Sequence, residues 1–374
     1  MMADSPWESR WARIVRGEAR GPLARLAAGG LWLASVGYGV ALKLHRAGYW
    51  LGSARRTRLP ALVVSVGNLT LGGTGKTTAA LAIAQRLFAQ GRRVAILSRG
   101  YGGAGEKRGL VVSQGLGPLV TVEEAGDEPY MVARSLPEVA VLVGRDRRRT
   151  GRLAVERLGA EALVLDDGFQ YQRLEKDVDI VLVDALLPFG YDALVPRGLL
   201  REPPGHLGRA DAVWLTHSDL VRRADLEQVR GRLRRLAPRA RLWETVHVPV
   251  RMRAVLSDDQ LAPDAVSGRR VCALSSLGNP LAFERTLERL GAEVVGRVRF
   301  PDHYAYRPEE LRQALEGEGG RAEWVVTTEK DAVRLPREAL DRPTWVLQVE
   351  LAARPGEPSL AEELSWLLRD PRAS

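Results

Sequence analysis

From Pro60 onward the chain alternates between short apolar runs and longer stretches with helical spacing. Residues 61–66 form a Val-rich run without charge, the pattern of a strand buried on both faces. Residues 77–90 follow with helical periodicity and end at Gly91. Strand-like runs recur at 93–98, 139–143, 162–165, 179–183 and 212–216. Strands separated by helical segments of this length predict βαβ units in an open, mostly parallel sheet with helices on both faces. Residues 219–239 place Leu220, Leu226, Val229 and Leu233 at helical spacing in an Arg-rich stretch whose charged face reads as solvated. From 241 to 267 the pattern turns strand-like and loop-like. A second α/β unit then runs from Arg270 to about Glu350, with strands at 271–274, 293–298, 324–327 and 344–349.

The N-terminus departs from this alternation. A basic, polar stretch carrying Arg10, Arg13, Arg16, Arg20 and Arg25 precedes an uncharged run from Leu26 to Leu42, and Arg46, Arg55, Arg56 and Arg58 follow it. A spanning helix needs about 20 strongly apolar residues, and this run is shorter and diluted by Gly, Ala and Ser. A cleaved signal peptide fits poorly, because a glycine-rich loop follows soon after. Three readings stay open: a buried core helix, a helix lying in a membrane interface with a basic collar, and a true span. The expected division is 1–58 as a basic and hydrophobic membrane-associating segment, 59–240 as a core domain, and 241–374 as a smaller α/β domain closing over the site.

Composition narrows the class. The 374 residues are 45% hydrophobic and 27% charged, which excludes fibrous, low-complexity and disordered chains. One cysteine, Cys272, excludes a disulfide framework and a multi-Cys zinc site. The net charge is +9, and of the 55 basic residues only Lys43, Lys76, Lys107, Lys176 and Lys330 are lysines. Arginine suits phosphate and anionic surfaces, because its planar fork binds oxyanions in pairs. Aromatics are only 6% and no zinc-finger or RNP-type signature is present, which argues against nucleic acid.

The strongest local signal is VVSVGNLTLGGTGKTT, residues 63–78. An apolar strand runs into Gly72-Gly73-Thr74-Gly75-Lys76-Thr77 and a helix follows. Glycines let backbone N–H groups curl around phosphates, and a helix N-terminus adds a favourable dipole. Lys76 has the reach for β- and γ-phosphates, and Thr77 carries a hydroxyl suited to Mg²⁺. The pattern is a relaxed Walker A, with Thr70 where the strict form has glycine. It predicts a P-loop NTPase-like core.

Such a site takes carboxylate help for its metal from the end of a neighbouring strand. The strand at 162–165 ends in Asp166-Asp167-Gly168-Phe169-Gln170. Adjacent residues point apart, so one carboxylate is expected to face the metal while the other braces the loop. Gly126-Asp127-Glu128-Pro129 opens a helix through Arg134. There Asp127 reads either as a helix cap or as a base for a substrate hydroxyl. Arg99 and the run Arg145-Asp146-Arg147-Arg148-Arg149 each follow a strand. His303 sits in Phe300-Pro301-Asp302-His303-Tyr304, with Asp302 beside it to hold its tautomer.

The segments VGNLTLGGTGKT, LSRGYGG, GDEP, GRDRR, LDDGFQ, DIVLVD, FPDHY and TTEKDAV, in this order over about residues 60–335, resemble the tetraacyldisaccharide 4'-kinase family of lipid A biosynthesis. The resemblance implies ATP-dependent phosphorylation of the 4'-hydroxyl of a tetraacylated glucosamine disaccharide 1-phosphate, with Mg²⁺. It implies Lys76 at the β/γ-phosphates, Gly72, Gly73, Thr74 and Gly75 as the cradle, and Thr77 at the metal. Asp127 matches the family's catalytic base and His303 the residue that tunes it. Glu128, Asp166 and Asp167 match metal-side and loop-organising positions, and Arg99, Arg147 and Gln170 match further site positions. A lipid substrate implies a membrane surface. The resemblance therefore favours the anchor reading of the N-terminal helix, at the cytoplasmic face of the bacterial inner membrane, with no obligate protein partner. Thr78, Tyr171 and Tyr304 replace the family's frequent Pro, His and His. A P-loop assembly ATPase or GTPase-like switch is the rival class. Its relatives often carry Lys before the paired glycines, where this chain has Leu71, and a GTPase would add an N-K-x-D motif that this chain lacks.

Overall fold

In the computed structural model, which describes residues 10–50, 56–302 and 304–369, the chain divides into two units. The larger comprises Arg20–Val246 and Leu351–Ser374, the smaller Met1–Ala19 and His247–Glu350.

The larger unit holds strands β1 (Leu62–Asn68), β2 (Val94–Ser98), β3 (Leu110–Gln114), β4 (Ala140–Val143), β5 (Ala162–Asp166), β6 (Val178–Asp184), β7 (Ala212–Thr216) and the first part of β8 (Arg241–Ala254), of which β3 has no counterpart among the expected runs. Their order is β3-β4-β2-β5-β1-β6-β7-β8. All neighbours are parallel except β3, which runs antiparallel to β4. Every residue of β2, β4, β5, β6 and β7 is buried. Strands covered on both faces cannot show polar alternation, which is why they read as continuous apolar runs.

The helix Lys76–Ala89 packs on β1, β2 and β5 and buries Ala79, Ala80, Ile83, Ala84 and Leu87. The helix Arg147–Leu158 packs on β2 and β4. Its Gly151 lies so close to the sheet that a Cβ there would stand 2.6 Å from Leu59 Cδ1 and 3.4 Å from Leu97 Cδ1. Leu163 and Leu165 share a core cluster with Ala154 of this helix, so the intervening Val164 points to the opposite face. Each buried Leu or Ile stabilises the layer by about 1.5–3 kcal/mol. The helix Arg223–Leu236 buries Leu226 and Leu233. The C-terminal helix Leu360–Leu367 belongs to this unit, where Trp243 Nε1 donates to the Pro358 carbonyl at 2.9 Å and Arg241 pairs with the buried Glu363.

The N-terminal apolar run lies in one helix, Pro22–Trp50. Its stretch Pro22–Leu44 is long and apolar enough to cross a membrane. Leu23, Leu26, Trp32, Leu33, Val36, Val40 and Leu44 are all exposed, so the helix is not a core element of this chain. The buried-core reading is thereby excluded.

In the smaller unit β9 (Gln260–Leu261) pairs antiparallel with the later part of β8. Four parallel strands, β10 (Arg270–Ser275), β11 (Glu293–Arg299), β12 (Trp324–Thr328) and β13 (Thr344–Ala353), lie in the order β11-β10-β12-β13. One core cluster here includes Cys272, Leu274, Val298, Phe300, Leu311, Leu315 and Val325.

Candidate active site

The carboxyl ends of β1, β5 and β6 lie side by side, because β1 pairs with β5 on one edge and β6 on the other. Open parallel sheets bind ligands outside such ends. The loop after β1 turns at Gly72 (φ 108°) and Gly75 (φ 82°), a conformation that disfavours a side chain. Gly75 caps the helix that begins at Lys76. A Cβ at Gly73 would meet no protein atom within 4 Å, so open space adjoins that residue. The buried Asn68 donates to Thr74 Oγ1 at 3.0 Å, Gln170 Nε2 donates to the Asn68 carbonyl at 2.8 Å, and Thr216 Oγ1 donates to the Thr74 carbonyl at 3.2 Å. These bonds hold the loop from inside the fold. Thr70 pairs with Leu200 in an antiparallel bridge and is buried, which gives a packing reason for the residue standing where the strict motif has glycine.

Asp166 and Asp167 face different partners. Asp166 is buried at the end of β5, and its Oδ2 accepts from Thr77 Oγ1 at 3.3 Å. Its Oδ1 is buried and has no hydrogen-bond partner. Burial pushes the Asp166 carboxyl up to about 7, with the charges of Glu128 and Asp167 adding to the rise and Lys76 and Thr77 opposing it. Asp167 adopts φ 56° and accepts from Arg201 Nη1 at 2.6 Å, while Lys76 Nζ lies 3.8 Å from the same oxygen. Burial works against ionisation of Asp167, but Lys76 and Arg201 outweigh it and hold the carboxyl well below the usual range.

Phe169 is buried against Gly67, where a Cβ would stand 2.5 Å from Phe169 Cβ, and the Arg209 guanidinium stacks 3.8 Å from its ring centre. Both Lys176 and Arg209 donate to its carbonyl at 3.2 Å. The DDGFQ turn is therefore fixed from below.

The GDEP turn is held by close backbone approach. A Cβ on Gly103 would stand 2.6 Å from the Gly126 nitrogen, and one on Gly126 would stand 2.9 Å from the Tyr101 carbonyl oxygen. Gly126, with φ 85°, is the N-cap of the helix Asp127–Ser135. Asp127 is thus the first helical residue, one place past the N-cap. Glu128 follows in the same turn, near enough for its charge to raise Asp166.

Arg99 pairs with Glu106 at 2.7 Å, and Arg145 pairs with the same carboxylate at 2.8 Å. A cavity of about 510 Å³ beside the acidic turn is lined by Arg99, Arg145, Arg147, Asp167, Gln170 and Arg201, among others. Arg147 is buried there, and its Nε has no hydrogen-bond partner. Tyr171 donates to Asp146 Oδ1 at 2.7 Å, so its hydroxyl braces the Arg145–Arg149 segment.

In the smaller unit Asp302 pairs with Lys330 at 2.8 Å. His303 lies outside the described residues. Among the described residues no three His, Cys, Asp or Glu groups form a metal cage. Mg²⁺ needs none, because it keeps water and phosphate oxygens and takes one or two protein ligands. The Thr77 hydroxyl beside a buried, half-unpartnered Asp166 fits that demand.

The structure therefore brings together Lys76, Thr77, Asp166, Asp167 and Gln170, with Glu128 within electrostatic reach. Sequence reasoning missed Arg201 and Thr216, which stand in segments without a motif. It also missed the bracing role of Asn68, although Asn68 adjoins the loop it supports.

Comparison with known proteins points to one family. The family profile "Tetraacyldisaccharide-1-P 4'-kinase" matches residues 27–369. A tetraacyldisaccharide 4'-kinase from Anaeromyxobacter dehalogenans (strain 2CP-C) is 49% identical over 329 residues, covering 88% of this chain and 85% of that protein. One from Syntrophus aciditrophicus is 41% identical over 350 residues, covering 90% and 91%. The crystal structure of LpxK from Aquifex aeolicus in complex with ATP superposes with a TM-score of 0.69 at 31% identity, covering 92% of this chain and 98% of that one. The chain belongs to the tetraacyldisaccharide 4'-kinase family.

Proposed function

We propose that this chain transfers the γ-phosphoryl group of ATP to the 4'-hydroxyl of a tetraacyldisaccharide 1-phosphate, as a kinase of lipid A biosynthesis. The observation that carries the reading is the meeting, at one sheet edge, of the phosphate loop and a buried carboxylate with an unpartnered oxygen. The membership of the family supplies the substrate class.

Phosphoryl transfer is mostly positioning and charge neutralisation. The backbone N–H groups of Gly72–Thr77 and the helix dipole behind them hold the phosphates. Lys76, oriented by Asp167, places its ammonium against the transferring group. Thr77 and Asp166 would hold Mg²⁺, with Glu128 beside them, and the ion supplies further neutralisation of phosphate charge. The Asp127 carboxylate accepts the proton of the sugar hydroxyl as the new P–O bond forms and the bond to the ADP oxygen breaks. Arg99, Arg147 and Gln170 line the cavity in which anionic parts of the substrate are held. His303 is assigned to tune the base, on the family motif alone. The exposed apolar face of the stretch Pro22–Leu44 supports attachment to the cytoplasmic face of the inner membrane, where a lipid acceptor resides.

Incubation with Mg²⁺, ATP and the tetraacyldisaccharide 1-phosphate in detergent, read by mass, is expected to show one added phosphoryl group on the lipid. ATP hydrolysis that is indifferent to the lipid, with no phosphorylated product, would favour an assembly ATPase or switch and overturn the reading.

A further inference from the structure

The segment Leu194–Arg201 touches two parts of the larger unit that are far apart in sequence. One contact is with the helix Pro22–Trp50. Ser35 Oγ accepts the Arg197 N–H at 2.9 Å. Its proton is shared between the Leu194 carbonyl at 2.9 Å and the helix's own Leu31 carbonyl at 2.8 Å. Tyr38 donates its hydroxyl to the Arg201 carbonyl at 2.9 Å. A Cβ on Gly39 would stand 3.1 Å from Leu194 Cδ1. Residues 35, 38 and 39 share one helix face, so this face is docked while Trp32, Leu33, Val36 and Val40 remain exposed.

The other contact is with the phosphate loop. The Arg201 N–H donates to the Leu69 carbonyl, and the Leu71 N–H donates to the Leu199 carbonyl, both at 2.7 Å. The same Arg201 reaches Asp167, the partner of Lys76. One short segment therefore forms the outer wall of the loop and is itself held by two hydroxyls of the apolar helix.

We infer that Ser35 and Tyr38 are positioning residues for the nucleotide site. Through Leu194–Arg201 they fix the backbone of Leu69–Leu71 and the carboxylate that orients Lys76. The apolar helix is thus a structural part of the ATP site as well as a lipid contact. Coupling of this kind needs a contiguous chain of packed and hydrogen-bonded groups, and here each link is a bond of 2.6–2.9 Å apart from the 3.8 Å ion pair at its end. The inference rests on the nucleotide-binding reading of the loop.

The test uses the full chain in detergent micelles. MgATP binding is measured by calorimetry, alongside KM for ATP and kcat, melting temperature and partition into phospholipid vesicles. Ser35→Ala and Tyr38→Phe are expected to weaken ATP binding and raise its KM about three- to tenfold. Melting temperature, vesicle partition and kcat at saturating ATP are expected to stay close to wild type, and Ser35→Thr is expected to restore affinity. ATP affinity within twofold of wild type in the double variant would overturn the inference. So would a loss of affinity that tracks a fall in melting temperature. Failure of the unaltered protein to bind MgATP would instead remove the nucleotide reading itself.

Discussion

Asp166 and Asp167 are adjacent and chemically identical, yet the fold gives them opposite electrostatics. Asp166 ends a buried strand with one oxygen unpartnered, and its carboxyl is pushed up to about 7. Asp167 turns the other way through φ 56° into Arg201 and Lys76 and stays ionised. The sequence predicts that the pair splits between two tasks, because neighbouring side chains diverge, but only the turn geometry says which faces which. Asp127 shows the same limit. Its motif allows a cap or a base, and the fold makes Gly126, with its positive φ, the cap and Asp127 the first residue of the helix. If Asp127 is the proposed base for the acceptor's hydroxyl, Asp127→Asn is expected to cut turnover by about 10²- to 10⁴-fold while MgATP affinity stays within about twofold. Steady-state rates beside calorimetric titration check this. Turnover near wild type would remove Asp127 as the base.

At the scale of elements, the helix Pro22–Trp50 separates two properties that composition blends. Its apolar content was visible in the run Leu26–Leu42, but its length was not, because the helix extends past that run at both ends, from Pro22 to Trp50. Its exposure was not, since an apolar helix inside a core has the same composition. Exposed Leu23, Leu26, Trp32, Leu33, Val36, Val40 and Leu44 make a surface suited to lipid. A chain lacking residues 1–55 is expected to move from the membrane fraction toward the soluble one on cell fractionation. Unchanged partition would detach membrane association from this helix. Strand β3 was missed for a physical reason as well. It is an antiparallel edge strand, only partly buried at Leu110 and Val111 and shifted in register against β4, so it shows neither the continuous burial of a central strand nor a regular alternation. The strands at the centre of the sheet were legible, because burial on both faces forces a run of Val, Ile, Leu and Ala.

On the scale of the whole molecule, charge is spent on bracing as much as on ligands. The buried Glu202 accepts from Arg209 Nη1 at 2.7 Å and lies 2.7 Å from His206 Nδ1, while Arg209 stacks on Phe169 of the acidic turn. Burial opposes ionisation, but His206 and Arg209 outweigh it and hold the Glu202 carboxyl down to about 2. A carboxyl lowered on folding stabilises the native state above its unfolded value of about 4.3, and the contribution fades as pH falls toward 2. A shift of this size corresponds to roughly 3 kcal/mol at neutral pH. Denaturant unfolding is therefore expected to show Glu202→Gln well below the parent chain at pH 7, with the gap narrowing between pH 4.5 and pH 2. A gap independent of pH would mean that packing, not ionisation, is what Glu202 contributes.

The sequence by itself determined the α/β class, the glycine-rich cradle with Lys76 and Thr77, the acidic strand end, and the family. Each of these is local: a period, a turn chemistry or a short motif whose residues act within one strand–loop–helix unit. Tertiary structure alone decided which aspartate meets Thr77, that Arg201 from a motif-free loop completes the Lys76 environment, that the C-terminal helix folds onto the larger unit, and that the apolar helix props the phosphate loop. Those facts depend on contacts between segments separated by tens to more than a hundred positions. Such contacts are set by how sheet, helices and loops pack together, and no local pattern in the chain encodes that packing.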